Sequence, residues 1–363
     1  MRALPPVARR DQRIDRLGQE IEDLRSQIEA QQDRLGKQEG QIARLDQDVQ
    51  HFGDDSRVED LLQQRARRPS FLSQYSAYQR EVLAGWAAGA EGGDVRVGMN
   101  RKLAMYRLAE SHGVRVPRIS HAFASLAAIE WDDLPERFVL KSDAGSASNG
   151  VFLLERDGDG FRLIGGGRRV SRDQVMDKLR SRHEIGRVLP PFFVEEVLDT
   201  GECDRLPVDI KIHAFYGEVG HVLLRDMARH GHRGSAKWRY LDRAGQDLGA
   251  VSKTNPVDPK VPVPARLPEL VAIAEQLSRA MPLPFIRVDL YDLPESIVFG
   301  ELTLMPGGGQ RYTAKHDEFL GRKFEHAATR LAQALRSDQP YGLVVGEHPV
   351  HTPKAEVMLG TGT

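Results

Sequence analysis

The chain is predicted to be an α+β protein, two α+β subdomains preceded by a long N-terminal coiled-coil helix. Three observations carry that expectation. Apolar residues recur at heptad spacing from Ile14 to Phe52, helical and strand periods alternate from about Met99 onward, and Phe285–Gly309 reads as a two-stranded hairpin with a polar face. With 363 residues, 40% hydrophobic and 28% charged, the chain is long enough for several lobes and a sizeable core.

The heptads come first. Ile14, Ile21, Ile28, Leu35, Ile42 and Val49 occupy one seam position, and Leu17, Leu24, Gln31, Gln38, Leu45 and Phe52 the other. Mainly β-branched residues at the first position with leucine favoured at the second point to a parallel pair of helices. Glu20 then faces Arg25, and Arg34 faces Glu39, across the seam. A homodimer through residues 1–55 is the expected assembly, with an intramolecular helical hairpin or a coil shared with another protein as the competing arrangements. Residues 56–98 read as a helical linker, broken at Gly92-Gly93.

Residues 99–135 form the segment leading into the first subdomain, with a helix over Asn100–Ser111 ended by Gly113 and a strand ending near Pro117. Within 136–203, RFVLK is a strand, the small-residue loop Ser142–Gly150 follows, VFLLERDGDGFRLIGG is a hairpin, Ser171–Arg180 is a helix and PPFFVEEVL a strand. Within 204–336, PVDIKIHAFYGEVGHVLLRD is a hairpin turning at Tyr216-Gly217, and Ser337–Thr363 reads as a loop-rich tail.

Bulk chemistry narrows the function. A net charge of −1 from 51 basic and 52 acidic residues argues against nucleic acid as a partner. One cysteine, Cys203, excludes an intrachain disulfide and suits a reducing, cytoplasmic setting. No apolar run has the length of a membrane span, and no HExxH-type spacing is present.

The chemistry-bearing residues then fall in order. Lys141 ends an apolar strand, where its ammonium can meet a phosphate, and Ser146, Ser148, Asn149 and Gly150 offer backbone N–H groups close to phosphate oxygens. The loop matches neither a P-loop nor a Rossmann turn, and a plain hairpin loop remains open for it. Glu195, Glu196 and Val197 leave the sheet where an adenine edge could be held; a solvated strand end is the alternative. Asp209, Lys211 and His213 share one face by alternation, with Arg225 ending the partner strand. In the last hairpin Asp289, Glu301 and Thr303 converge beside Arg287, an oxygen set suited to magnesium shared with phosphate. A polar stretch from Arg229 to Arg239 reads as a substrate loop or a solvated one.

In this order the pieces resemble the ATP-grasp superfamily over roughly residues 99–325, and most of all its teichuronopeptide-biosynthesis (TupA-like) branch. The segments that carry the likeness are MNRKLAMYRLAESHGVRVP, FVLKSDAGSASNGV, FVEEVL, Asp209-Ile-Lys211, RVD at 287–289 and Glu301-Leu-Thr303-Leu-Met-Pro306-Gly307. The resemblance implies two subdomains clasping ATP, with Lys102 and Lys141 on its phosphates and Mg2+ on Asp289 and Glu301. It also implies Arg287, Arg225 and Lys211 around the reacting groups, and carboxylate and amine substrates joined through an acyl-phosphate. Thr303 stands where the wider family prefers asparagine, which makes it the weakest of the metal ligands. A kinase acting on a hydroxyl and a non-catalytic coiled-coil scaffold are the alternatives.

Overall fold

The computed structural model describes residues 31–32, 35–36, 38–40, 42, 68–88, 99, 101–145, 149–202, 205–227, 236–307, 311–337, 340–355 and 359. The chain divides into two compact units, Met1–Arg68 and Pro69–Thr363. Most of the predicted coiled coil lies outside the described residues. Those described between 31 and 42 are helical and exposed, the seam residues Leu35 and Ile42 among them.

The second unit is built on two antiparallel sheets. Its elements are α1 (Phe71–Ala87), α2 (Lys102–Ser111), β1 (Ile119–Phe123), β2 (Arg137–Ala144), β3 (Val151–Asp157), β4 (Gly160–Leu163), β5 (Arg169–Val170) and α3 (Arg172–Glu184). There follow β6 (Leu189–Glu195), β7 (Asp209–Ala214), β8 (Val219–Asp226), β9 (Lys237–Leu241), α4 (Leu267–Ala280), β10 (Ile286–Asp292), β11 (Ile297–Thr303) and α5 (Ala314–Ser337). The first sheet has the order β1-β6-β2-β3-β4-β5 and the second β11-β10-β7-β8-β9. No described helix is long and apolar enough to cross a membrane.

Each sheet has its own core. Phe138, Leu140, Phe152, Leu154, Phe192 and Val194 close the first sheet against Val175 and Leu179 of α3. That helix starts at a capping box in which Ser171 and Gln174 satisfy each other's backbone N–H groups. The second core holds Ile210, Ile212, Val222, Leu224, Val288 and Leu290 of the sheet with Leu270, Ala274 and Leu277 of α4. The hairpin turn falls at Tyr216-Gly217 as predicted, both residues having positive φ (40° and 90°).

Three expectations are corrected. The strand expected to end near Pro117 lies beyond it, at Ile119–Phe123, where it pairs with β6; proline has no N–H to give a ladder. The strand RFVLK runs on to Ala144, so Ser142 and Asp143 belong to β2 and are fully buried. The linker expected over 56–98 is, at Phe71–Ala87, a core helix. Phe71, Tyr75, Tyr78 and Val82 are buried, and Phe71 meets Phe215 and Phe285 edge to face. The helix packs on α5, where Asp317 accepts from Ser70 Oγ (2.7 Å) and Leu72 N (2.9 Å).

Gly321 marks how close that packing is. A Cβ there would lie 2.6 Å from Ser70 N and 2.7 Å from Pro69 C. Alanine would gain about 1 kcal/mol of helix propensity. Overpacking against backbone atoms costs about 1–3 kcal/mol and more when the neighbour cannot rotate away. Gly321→Ala is therefore expected to destabilise, read as a lower denaturation midpoint in urea; an unchanged or raised midpoint would contradict the close approach.

The tail is also tied down. Val344 N donates to Ala280 O (2.9 Å), His348 N to Ser111 O (2.9 Å) and Thr352 N to Glu110 Oε2 (2.8 Å). Between residues 340 and 352 irregular backbone thus reaches α2 and the end of α4.

Candidate functional site

Helix α2 joins the two sheets and sets the site. Seven of its ten residues are buried, including Lys102 and Tyr106, which lie four apart and so share a face. Asp143 of β2 accepts from Leu103 N at its first turn (2.8 Å), and Met105 Sδ accepts from Leu302 N of β11 (3.4 Å). Lys102 Nζ donates to Gly145 O at 3.1 Å, where the small-residue loop begins. Burial lowers the pKa of Lys102, with the charge of Glu301 opposing.

Beside it stands a buried trio. Lys141 Nζ pairs with Glu195 and donates to Tyr106 Oη (3.0 Å), and Tyr106 Oη donates to Glu195 Oε2 (2.8 Å). The strand expected at the adenine edge carries these charges in pairs. Glu195 is 3% exposed and acts as the counter-ion of Lys141, and Glu196 turns away to Arg115 (3.0 Å) and Arg118 N (3.0 Å). A carboxylate buried beside a lysine is held by that lysine, because leaving either charge alone is costly. Val197 still lines the cleft with both glutamates.

Of the small-residue loop, Ser146 and Ser148 lie outside the described residues. Asn149 lines the cleft. Gly150 makes the turn, its φ of +71° and a Cβ position 2.7 Å from Val188 excluding a side chain, and its carbonyl accepts from Ser142 N (3.0 Å).

The second sheet contributes three aligned rows. Glu301, Asp289, Lys211, Leu223 and Tyr240 are direct cross-strand neighbours from β11 to β9. Thr303, Arg287, His213 and His221 form the row on one side of it, and Asp209, Arg225 and Trp238 the row on the other. Because strand side chains alternate, these rows share one face. The predicted convergence of Asp289, Glu301 and Thr303 beside Arg287 is what the register produces.

Charges on that face alternate. Arg225 and Lys211 (2.9 Å) hold Asp209, Lys211 also meets Asp289, and Arg287 grips Asp289 with two hydrogen bonds of 2.6 Å. Arg287 reaches Thr303 Oγ1 at 2.9 Å and Glu301 at 3.4 Å. Burial works against the charge of Asp209, and Lys211 and Arg225 outweigh it, bringing its pKa to about 2. Arg225 and Lys211, expected to face substrate, are therefore first of all partners of Asp209.

The sequence reading missed Tyr106, Asp143 and a histidine cluster. The spacing of Tyr106 from Lys102 and of Asp143 from Lys141 was the available signal. The histidines come from three separate elements. His213 and His221 have ring centroids 4.2 Å apart, and His221 Nδ1 lies 3.0 Å from His316 Nε2. Burial lowers His316 to about 4, with Asp317 opposing, and pushes His221 well below its usual value. A histidine with a lowered folded pKa leaves stability constant above its unfolded value of 6.5 and loses it as pH falls towards 4, since only the unfolded chain takes up protons there. For His316 alone this amounts to about 3 kcal/mol. Thermal midpoints are expected to fall between these pH values in the wild type and to fall less in His316→Gln; equal slopes would contradict a neutral buried His316.

Both sheets face one cleft of about 1210 Å³, lined by Lys102, Lys141, Asn149, Val197, Arg287 and Glu301 among others. Single small-molecule pockets run to about 300–1,000 Å³. The cleft can take a nucleotide and a second reactant together. Among the described residues no group of three or more His, Cys, Asp or Glu forms a metal cluster. The hard-oxygen set available is Glu301, Thr303 and Asp289, which fits a divalent cation that completes its shell from phosphate oxygens.

Comparison with known proteins gives one family and several solved structures of low similarity. The family described as TupA-like ATPgrasp matches residues 93–325. Among solved structures, D-alanine–D-alanine ligase from Bacillus anthracis, in a complex with ATP, is similar at 12% identity and a TM-score of 0.41, over 70% of this chain and 74% of that one. An ATP-grasp RimK domain protein from Sphaerobacter thermophilus matches at 11% identity and 0.37, over 64% and 69%. An L-amino acid ligase from Bacillus licheniformis matches at 13% and 0.37, over 63% and 46%. No curated protein matches the sequence. The family match spans more than half of the chain, and the protein belongs to the TupA-like ATP-grasp family.

Proposed function

We propose that the protein is an ATP- and magnesium-dependent carboxylate–amine ligase working through an acyl-phosphate. The observation that carries this reading is the cleft itself: Lys102 and Lys141 on one side and the sheet face of Arg287, Asp289 and Glu301 on the other, around a space larger than one ligand needs. Lys102 and Lys141 bind the polyphosphate, and the buried trio fixes the direction of the Lys141 ammonium. Arg287 gives the transferred phosphoryl group a planar pair of donors. Asp289 and Glu301, with Thr303, would hold Mg2+, which supplies charge neutralisation across the phosphates when bound.

The carboxylate oxygen of one substrate attacks the γ-phosphorus and ADP departs. The amine of the second attacks the acyl carbon, phosphate leaves, and the amine gives up a proton. No side-chain nucleophile is required. By family likeness we assign the joined groups to an amino acid or amino sugar within a surface polysaccharide or peptide-like polymer. We also propose that residues 1–55 pair as a parallel coiled coil. Removal of residues 1–52 is expected to reduce the mass in solution to that of one chain, measured by light scattering; an unchanged mass would place association elsewhere.

The deciding experiment screens ADP release against pools of carboxylates and amines, with mass spectrometry of the product. ADP formed only when both are present is expected. A stable phosphorylated hydroxyl formed without amine would replace the ligase by a kinase. Absence of any thermal shift with Mg-ATP, where binding should raise the midpoint, would favour a scaffold.

A further inference from the structure

Asp289 is the buried member of the proposed metal set, and both of its oxygens are already held by cations. Arg287 Nε binds Oδ1 (2.6 Å), Arg287 Nη2 binds Oδ2 (2.6 Å), and Lys211 Nζ closes on Oδ2. The three side chains are 3%, 12% and 8% exposed, so water screens these pairs little. Glu301, at 44%, is the open carboxylate, and even it has Arg287 Nη2 at 3.4 Å. A divalent cation arriving alone meets one accessible carboxylate, one hydroxyl and two fixed positive charges. A unit charge about 4 Å from such an ion, at an effective dielectric near 20, weakens its binding by roughly 10³-fold for each unit of the ion's charge, about 10⁶-fold for a divalent ion.

We infer that Lys211 and Arg287 are internal counter-ions that close Asp289 to free divalent cations, and that a nucleotide's triphosphate opens it. The inference rests on the reading of the cleft as a nucleotide site. Both cations have somewhere to go. Lys211 also holds Asp209 Oδ1 at 2.9 Å, so it can release Asp289 and remain paired. Arg287 lies in the row beside Glu301 and can exchange a carboxylate for two oxygens of a phosphate, which take the same pair of parallel N–H donors. The metal then enters with or after the nucleotide, never before it. A site open before nucleotide arrives would draw free cations; the paired state holds the carboxylates in place without them.

The test is binding of Mn2+ to the full chain, followed by water-proton relaxation enhancement against protein-free Mn2+ and Mn2+–AMP-PNP. Wild-type protein is expected to show no enhancement with Mn2+ alone and a clear one with Mn2+ and AMP-PNP. Lys211→Gln is expected to bind Mn2+ without nucleotide, at least about tenfold tighter than wild type, and Asp289→Asn in that background to lose the gain. Arg287→Gln opens Asp289 from the other side if Lys211→Gln does not fold, with far-UV circular dichroism as the check on folding. Mn2+ binding by the wild type alone, removed by Glu301→Gln, would overturn the inference and leave the metal site standing. A variant that folds and gains no binding without nucleotide, while wild type binds Mn2+ with AMP-PNP, would likewise overturn the inference alone. Absence of enhancement even with AMP-PNP would overturn the nucleotide reading itself.

Discussion

Glu301→Gln is expected to reduce ADP release by roughly 10²–10⁴-fold while leaving the denaturation midpoint unchanged. The residue is 44% exposed, its hydrogen bonds to Thr303 Oγ1 (3.3 Å) and Arg287 (3.4 Å) are long, and its charge supports only the ammonium of Lys102 besides. Glutamine has the same shape and keeps an acceptor oxygen for both. What it removes is one negative charge where the reading places a divalent cation. Loss of a metal-centred charge stabilisation of several kcal/mol corresponds to that fold range, at about 1.4 kcal/mol per tenfold. Surface substitutions away from special features stay within about 0.5 kcal/mol in stability. Coupled measurement of ADP release and urea denaturation checks both halves. Wild-type turnover by Glu301→Gln would sink the metal assignment.

Asp289→Ala, directly across the ladder, is expected to behave in the opposite way. Its main effect is a loss of about 3–5 kcal/mol in stability, because removing one partner of a buried charge network leaves the others uncompensated. Here Lys211 and Arg287 both lose a carboxylate, at side-chain exposures of 8% and 12%. Lys211 retains Asp209, which places the expected loss towards the lower end of the range. Urea denaturation of the full chain measures it, followed by circular dichroism. A midpoint unchanged by Asp289→Ala would mean that the network is solvated and weak. The pair of variants therefore separates two roles that look identical in sequence, one carboxylate for chemistry and one shared between chemistry and the fold.

Much of this site was legible in the chain because its parts are local. A strand alternates with a period of two, so Arg287, Asp289, Glu301 and Thr303 follow onto one face from the hairpin alone. The same rule placed Asp209 and Lys211 together, and Lys102, singled out by the family resemblance alone, lies on the first turn of α2. Element boundaries were less legible. Helix Phe71–Ala87 looked like a linker because its aromatic face matches no neighbour nearby in sequence; its partners, Phe215, Phe285 and α5, come from far along the chain.

By itself, then, the sequence determined the α+β class and the set of charged residues on each strand face. The expectation of a parallel coiled coil over 1–55 also rests on sequence alone. The tertiary structure decided which of those charges answer to one another. Glu195 answers directly to Lys141, and α2 adds Tyr106 as a hydrogen-bond partner of both. Lys211 and Arg287 both meet Asp289 because β7 pairs with β10. The reason is electrostatic: local pattern places a charge on a face, but a buried charge takes whatever opposite charge the fold brings within about 4 Å. Those partners lie 54 and 78 residues away in the pairs Lys141–Glu195 and Lys211–Asp289, beyond the reach of any local period.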